Sequence, residues 1–262
     1  MIEKQEIYVV NCRKYMENLK RFIKTILWII HKHTSTPVQL QRLILKTVFH
    51  DRETFLLKRD LHVFATYFRR NLWLSKESYS GFGSQVNTTG TVREKLPVLW
   101  QQYQIKSFLD VPCGDYNWMK EVDKQNISYT GGDIVVELIE QNNLKYKTEN
   151  ISFEVIDITQ DTLPTVDMIF CKDCLQHLSY ENVWKALKIF KNSNSTYLLV
   201  TSYPFTLSNW NIYNGDFRPL NLRIKPFNLP APMLKIREKS NAGKLIEKDK
   251  CMYLYKLKDI TV

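Results

Sequence analysis

Short apolar runs bounded by polar or turn residues recur along the chain at Ser107–Val111, Ser128–Asp133, Phe153–Asp157, Val166–Cys171 and Tyr197–Ser202, each of strand length. Between the second and third lies Ile134–Leu144. Between the fourth and fifth, Tyr180–Lys191 places Val183, Trp184, Leu187 and Phe190 on one helical face, with Ser179 as its N-cap. An earlier segment carries Val92, Leu96, Leu99, Trp100 and Tyr103 on neighbouring helical turns. Strands spaced by helices of this length predict βαβ units, and so an α/β fold with a mostly parallel sheet covered on both faces.

The first 75 residues read differently. Leu40, Leu43, Leu45, Val48 and Phe49, then Phe55, Leu56, Leu61, Phe64, Tyr67 and Phe68, stand at mixed helical spacings and predict two or three helices before residue 75. The character changes at Ser75, where Ser80-Gly81-Phe82-Gly83-Ser84 forms a loop, so the expected division is a basic helical extension at 1–75 and a main domain at 76–262. Charge sharpens that division. Residues 1–75 hold 14 basic and six acidic side chains, or +8, leaving +2 of the total +10 to the other 187. The strongest apolar run, Phe22–Ile30, is interrupted by Lys24 and is far shorter than the roughly 20 residues that span a bilayer. Residues 14–33 suit peripheral contact with a membrane surface, or with a phosphate backbone; the plainer alternative is a helix packed on the main domain with its lysines in water.

Composition excludes a disordered or fibrous chain, because 44% hydrophobic residues against 24% charged are enough to bury a full core. The five cysteines are odd in number and thinly spread, and no signal peptide precedes them, which predicts a reducing, cytoplasmic setting.

In a sheet of this kind ligands bind at the carboxyl ends of the strands. After the first strand stands Asp110-Val-Pro-Cys-Gly114-Asp-Tyr-Asn-Trp118, in which Gly114 alone suits a tight ligand-facing turn, Pro112 and Tyr116 standing where further glycines are usual. Asp133 closes the second strand, placed to accept hydrogen bonds from ribose hydroxyls. Asp157 with Ile158 closes the third, placed for an adenine amino group and ring face. Each acid alone equally suits a strand end or a helix cap; three after three successive strands make a pattern.

The order of Asp110-Val-Pro-Cys-Gly114, Gly132-Asp133, Ile156-Asp157 and Cys171-Lys-Asp-Cys-Leu-Gln-His177 resembles the class I S-adenosylmethionine-dependent methyltransferases over roughly residues 76–262. Within them it is similar to a little-characterised subgroup that has a Pro-Cys-Gly-Asp-x-Asn-Trp loop, an Arg/Lys-Asp-Cys-x-x-His segment and a Gly-Asp-x-Arg-Pro-Leu-Asn-Leu stretch, here Gly215–Leu222. The resemblance implies a seven-stranded sheet with one antiparallel strand, for which Met233–Arg237 and Cys251–Leu257 suit the final hairpin. It implies S-adenosylmethionine as cofactor and S-adenosylhomocysteine as product. Asp110 and Gly114 would serve the methionine part, Asp133 the ribose and Asp157 the adenine, with Pro112, Cys113, Tyr116, Trp118, Ile134, Ile158 and Cys171 as further candidates for holding the cofactor. Related methyltransferases are encoded beside glycan-assembly enzymes, which implies a saccharide acceptor.

His177 and Asp173 stand four residues apart after the fourth strand, so a helical turn would bring them to one face, with His177 as general base and Asp173 as orienter or acceptor ligand. The alternative is a histidine that only caps the helix after Ser179. The other four histidines precede residue 75. Beyond the fifth strand, aromatic and polar residues interleave, and Tyr203, Trp210, Asp216, Arg218 and Asn221 are the candidates for holding a sugar acceptor, with Arg218 suited to a phosphate or uronate. Cys171-Lys-Asp-Cys174 lacks the second ligand pair that structural zinc requires, so no metal site is assigned; magnesium through Asp173 or Asp216 leaves no spacing signature to read. The alternative function is an RNA methyltransferase using the basic extension, nucleic acid being the less favoured partner, and a third is a catalytically silent adaptor.

Overall fold

The computed structural model describes residues 63–124, 126–238 and 249–262. The expected 14–33 surface helix, and all of the N-terminal extension before residue 63, lie outside the described residues.

A seven-stranded sheet has the order β3-β2-β1-β4-β5-β7-β6, where β1 is Ser107–Asp110, β2 Ser128–Asp133, β3 Ile151–Val155, β4 Met168–Cys171, β5 Tyr197–Ser202, β6 Leu234–Arg237 and β7 Cys251–Lys256. The first five strands run parallel, and β7 is antiparallel to both β5 and β6. The chain reverses direction in strand order at β1, whose loop therefore opens onto the crevice between β1 and β4.

Both faces of the sheet are buried. Successive side chains point to opposite sides, so Leu109, Val111, Ile169, Cys171, Leu198 and Val200 belong to one core, while Phe108, Met168, Phe170, Leu199, Met252 and Leu254 belong to the other. This explains the unbroken apolar run at β4, which needs no polar face.

Helix α1 is Val63–Arg69, α2 Gly90–Gln102, α3 Val136–Tyr146 and α4 Tyr180–Asn192. Helix α4 lays Val183, Ala186, Leu187 and Phe190 against the first core, and the hydroxyl of Ser179 accepts from the Asn182 amide as the expected cap. Helix α2 covers the second core with Val92, Leu96, Leu99 and Trp100. Helix α1 is fastened over α3 by Phe68, which packs with Val135 and Leu138, and by an exposed ion pair of Arg69 with Glu137.

Several boundaries differ from the sequence expectation by one or two residues, β4 for example starting at Met168 rather than Val166. Strand β3 starts and ends two residues early, because its register with β2 finishes at Asp133 opposite Val155. Asp157 therefore sits in the turn beyond the strand, its own amide donating to Asp161. Helix α3 likewise starts at Val136, since the Asp133 carboxylate takes the Val135 amide and holds residues 134–135 in the approach.

Candidate active site

The loop after β1 is built around Asp133. Its Oδ2 accepts from the Gly114 amide at 3.1 Å and its Oδ1 from the Val135 amide at 3.0 Å, so one carboxylate ties the first loop to the entry of α3. Burial pushes the Asp133 carboxyl up to about 6 against the pull of these amide bonds. Asp110 lies deeper. The Tyr129 hydroxyl donates to its Oδ2 at 2.7 Å, and burial still raises it to about 7. One oxygen of Asp157 accepts from the Thr159 amide and hydroxyl, while the other has no hydrogen-bond partner among the described residues.

Gly114 has φ +56, a region L side chains rarely adopt, and a Cβ there would come within 2.1 Å of the Ser80 Oγ. That contact exposes a feature the sequence did not signal: residues 75–84 form a strap across the β1 loop. Asp115 is its anchor, accepting from the Ser78 hydroxyl at 2.9 Å and the Tyr79 amide at 2.7 Å, while its own amide donates to Ser80 Oγ at 3.0 Å. Glu77 holds the flank by accepting from Asn117 Nδ2 at 2.8 Å. The strap continues to the exit of β4, where the Gly83 carbonyl accepts from Lys172 Nζ at 3.0 Å.

Several loop residues face inward. Cys113, Tyr116 and Trp118 are buried in the second core, Tyr116 packing on Tyr129, Tyr146 and Phe153, and Trp118 on Phe170. Cys171 is buried in the first core, and burial raises both the Cys113 and Cys171 thiols. These four support the loop from beneath. Pro112 and Ile134 are half-buried and Ile158 is buried at the same carboxyl edge.

The exit of β4 corrects the expected pairing of Asp173 with His177. Asp173 has φ +54 and is followed by a 3-10 turn over Leu175–His177, so no α-helical turn stacks residues 173 and 177. The Asp173 carboxylate is instead the hub of a charge cluster. Lys172 Nζ lies at 2.5 Å and Lys250 Nζ at 2.8 Å from its Oδ2, Gln176 Nε2 donates to Oδ1, and Glu238 stands 3.4–3.5 Å from both ammonium groups. Burial alone would raise this carboxyl, but the two ammonium groups outweigh it and hold Asp173 well below the usual carboxylate range. Glu238 and Lys250 come together through the β6–β7 pairing, which continues one step past Arg237 and Cys251 as the Glu238 amide donates to the Lys250 carbonyl.

His177 is oriented by Gly215–Arg218. Its Nδ1 lies 2.8 Å from the Asp216 carbonyl oxygen, its own carbonyl accepts from the Gly215 amide at 2.8 Å, and the Arg218 amide donates to the Gln176 carbonyl at 3.1 Å. Trp73, from the segment after α1, and Phe217 flank the half-buried imidazole at centroid distances of 6.3 and 5.6 Å. Burial lowers the His177 pKa below its ordinary value, the bond to the Asp216 carbonyl opposing.

The candidates beyond β5 divide. Asp216 and Trp210 are half-buried. Tyr203, Arg218 and Asn221 are buried: Tyr203 edges onto Phe217, and Asn221 Nδ2 donates to the Pro204 and Thr206 carbonyls to close the loop. A sequence shows the polar groups of such a loop but not that its own carbonyls claim them. Among the described residues no group of three or more His, Cys, Asp or Glu side chains could hold a metal ion, and no helix is long and apolar enough to cross a membrane.

The arrangement combines two carboxylates with acceptor capacity left, Asp133 at the end of β2 and Asp157 in the turn after β3, a glycine turn, and an imidazole whose pKa burial lowers, at the same edge of the sheet. Residues 109–192 match the family model described as a methyltransferase domain. No curated protein matches the chain. Among solved structures, N-methyltransferase NodS from Bradyrhizobium japonicum, in complex with S-adenosylhomocysteine, superposes with a TM-score of 0.52 at 12% identity, covering 74% of this chain and 97% of its own. Magnesium protoporphyrin IX methyltransferase ChlM from Synechocystis, also with S-adenosylhomocysteine, gives 0.52 at 13% identity over 76% of this chain and 97% of its own. Likeness at these identities is likeness of fold.

Proposed function

We propose that this S-adenosylmethionine-dependent methyltransferase domain passes the methyl group to a hydroxyl of a saccharide or glycan, with His177 as general base. The observation that carries the reading is the contact of His177 Nδ1 with the Asp216 carbonyl. A carbonyl oxygen only accepts, so Nδ1 bears the proton and Nε2 keeps its lone pair. The lowered pKa keeps that nitrogen unprotonated at neutral pH. A neutral hydroxyl is a weak nucleophile, and an imidazole lone pair beside it removes the proton as the bond to carbon forms.

The residues at the strand ends fit the donor. Asp133 retains lone pairs for two ribose hydroxyls, the Asp157 oxygen with no partner among the described residues suits an exocyclic amine, and Gly114 with Asp110 would hold the methionine end. The bound sulfonium supplies an activated methyl group; the chain's own work is to hold the acceptor in line within about 3–3.5 Å and away from water. The Trp73 and Phe217 rings beside His177 suit the C–H faces of a sugar.

Release of S-adenosylhomocysteine is measured against a panel of neutral and charged glycans. Turnover on a glycan that drops roughly 10²–10⁴-fold in His177→Asn, with cofactor affinity unchanged, is the expected result. The wild-type rate should fall off on the acid side with an apparent pKa below the ordinary 6.5 of histidine. Turnover only on non-glycan acceptors, or an unimpaired His177→Asn, overturns the proposal.

A further inference from the structure

We infer that the guanidinium of Arg218 is the floor of a second binding site beside His177, which takes a bidentate oxyanion, so that the acceptor carries a carboxylate or phosphate near the hydroxyl that is methylated. The acceptor half of this inference rests on the saccharide reading above; the anion site itself does not.

Arg218 is 0% exposed, the largest side chain buried to that degree among the described residues. Only one of its three nitrogens is used: Nη1 donates to the Leu178 carbonyl, and Nε and Nη2 have no hydrogen-bond partner. Those two are not a random remainder. They lie on one edge of the planar group, with parallel N–H bonds at the spacing of two oxygens of a carboxylate or phosphate. None of the ion pairs among the described residues includes Arg218; the Tyr180 ring lies 5.0 Å from its Cζ, and the arginine's charge also helps to lower the His177 pKa. A cation in dry surroundings without a counterion is strongly disfavoured, and burial accordingly lowers Arg218 to about 9. The large majority of buried donors in native proteins have partners, and the partner that matches two parallel donors and a positive charge together is an oxyanion.

The place of the arginine ties this site to the reaction. Its own amide donates to the Gln176 carbonyl, its Nη1 to the Leu178 carbonyl, and Asp216, two residues earlier, fixes the imidazole between them. An acceptor gripped by the free edge of Arg218 is thereby registered against His177 by a segment of four residues. Tyr180, half-buried at the start of α4, packs its ring against the guanidinium beside that edge.

The test uses the full chain saturated with S-adenosylhomocysteine and titrates inorganic phosphate, D-glucuronate and D-glucose by calorimetry at constant ionic strength. Saturable binding of phosphate and glucuronate is expected, weakened at least about tenfold in Arg218→Lys, which keeps the charge but loses the parallel donors. The affinity for S-adenosylhomocysteine should stay as in the wild type. Absence of saturable anion binding in the wild type overturns the inference whether or not the variant folds, as does an Arg218→Lys protein that binds both anions normally; a response equal to that of chloride means an adventitious ion only and also overturns it. If phosphate binds through Arg218 but glucuronate gains nothing from its ring, the anion site stands and the saccharide reading falls. Saturable glucose binding with no anion binding gives the reverse.

Discussion

Replacing Gly114 with alanine tests whether the strap and the β1 loop form one unit. The perturbation has two parts. An alanine at φ +56 is strained by about 1–2 kcal/mol. Its Cβ would also stand 2.1 Å from Ser80 Oγ and 2.9 Å from Ser80 Cβ, so no rotation of the serine alone relieves the clash and the strap must move. Moving it breaks the Asp115 amide bond to Ser80 Oγ at 3.0 Å and loosens the bonds from Ser78 and Tyr79 to the Asp115 carboxylate. With about 1 kcal/mol for a neutral bond and somewhat more for a charged one, the total comes to about 3–4 kcal/mol. For a domain of this size that lowers the Tm by roughly 6–15 °C. Urea unfolding followed by tryptophan fluorescence reads the change, and the double variant with Ser80→Gly separates its parts. Removing the serine side chain should restore the share due to the clash, with a coupling of about 2 kcal/mol, and leave the backbone strain. A Gly114→Ala protein within about 0.5 kcal/mol of wild type, or a coupling near zero, would refute the placement of the strap on the loop.

Three further outcomes follow from the site. Asp133→Ala should weaken S-adenosylhomocysteine binding by roughly 100-fold, because hydrogen bonds to an ionised group contribute about 1.5–3 kcal/mol; calorimetry decides, and unchanged affinity would remove Asp133 from the cofactor site. Asp110, at about 7, and Asp133, at about 6, take up protons more readily in the folded than in the unfolded chain, so between about pH 4 and 7 they make stability fall as pH rises. The Asp110 share of that slope approaches about 1.4 kcal/mol per pH unit, and Asp110→Asn should remove it in denaturant titrations at several pH values. Asp173→Asn leaves the buried ammonium groups of Lys172 and Lys250 facing Glu238 alone and should cost about 3–5 kcal/mol in thermal unfolding; a loss below about 1 kcal/mol would mean that the cluster is solvated.

The alternation of strands and helices was legible because each carries a local period: Val183, Leu187 and Phe190 announce α4, and the run at β4 announces a strand buried on both faces. Asp110 and Asp133 were legible as strand-end acids for the same reason, since a strand end is a local position, whereas Asp157 falls two residues past the end of β3. What sequence reasoning missed depends on long-range pairing. Nothing near Ser80 says that it rests on Gly114, and Glu238 and Lys250 meet Asp173 only once the hairpin register is set. His177 was singled out by its chemistry, but its expected stacking on Asp173 does not form: a spacing of four implies a shared helical face only if the turn is α-helical, and Asp173 in the left-handed region with a 3-10 turn after it breaks that premise, leaving only its charge to act on the imidazole. The Gly215–Leu222 stretch stood out as a motif for the acceptor, whereas much of its polar capacity goes to holding residues 176–178 and closing its own loop.

The position of β7 bears on how the protein is made. It follows the other six strands in the chain, yet it lies between β5 and β6 and hydrogen-bonds to both. While a ribosome is still adding residues 251–256, β5 presents an unpaired apolar edge and β6 has no strand to pair with. The sheet therefore closes only after those residues have cleared the exit tunnel, and until then the nascent chain has reason to need a chaperone's cover along β5.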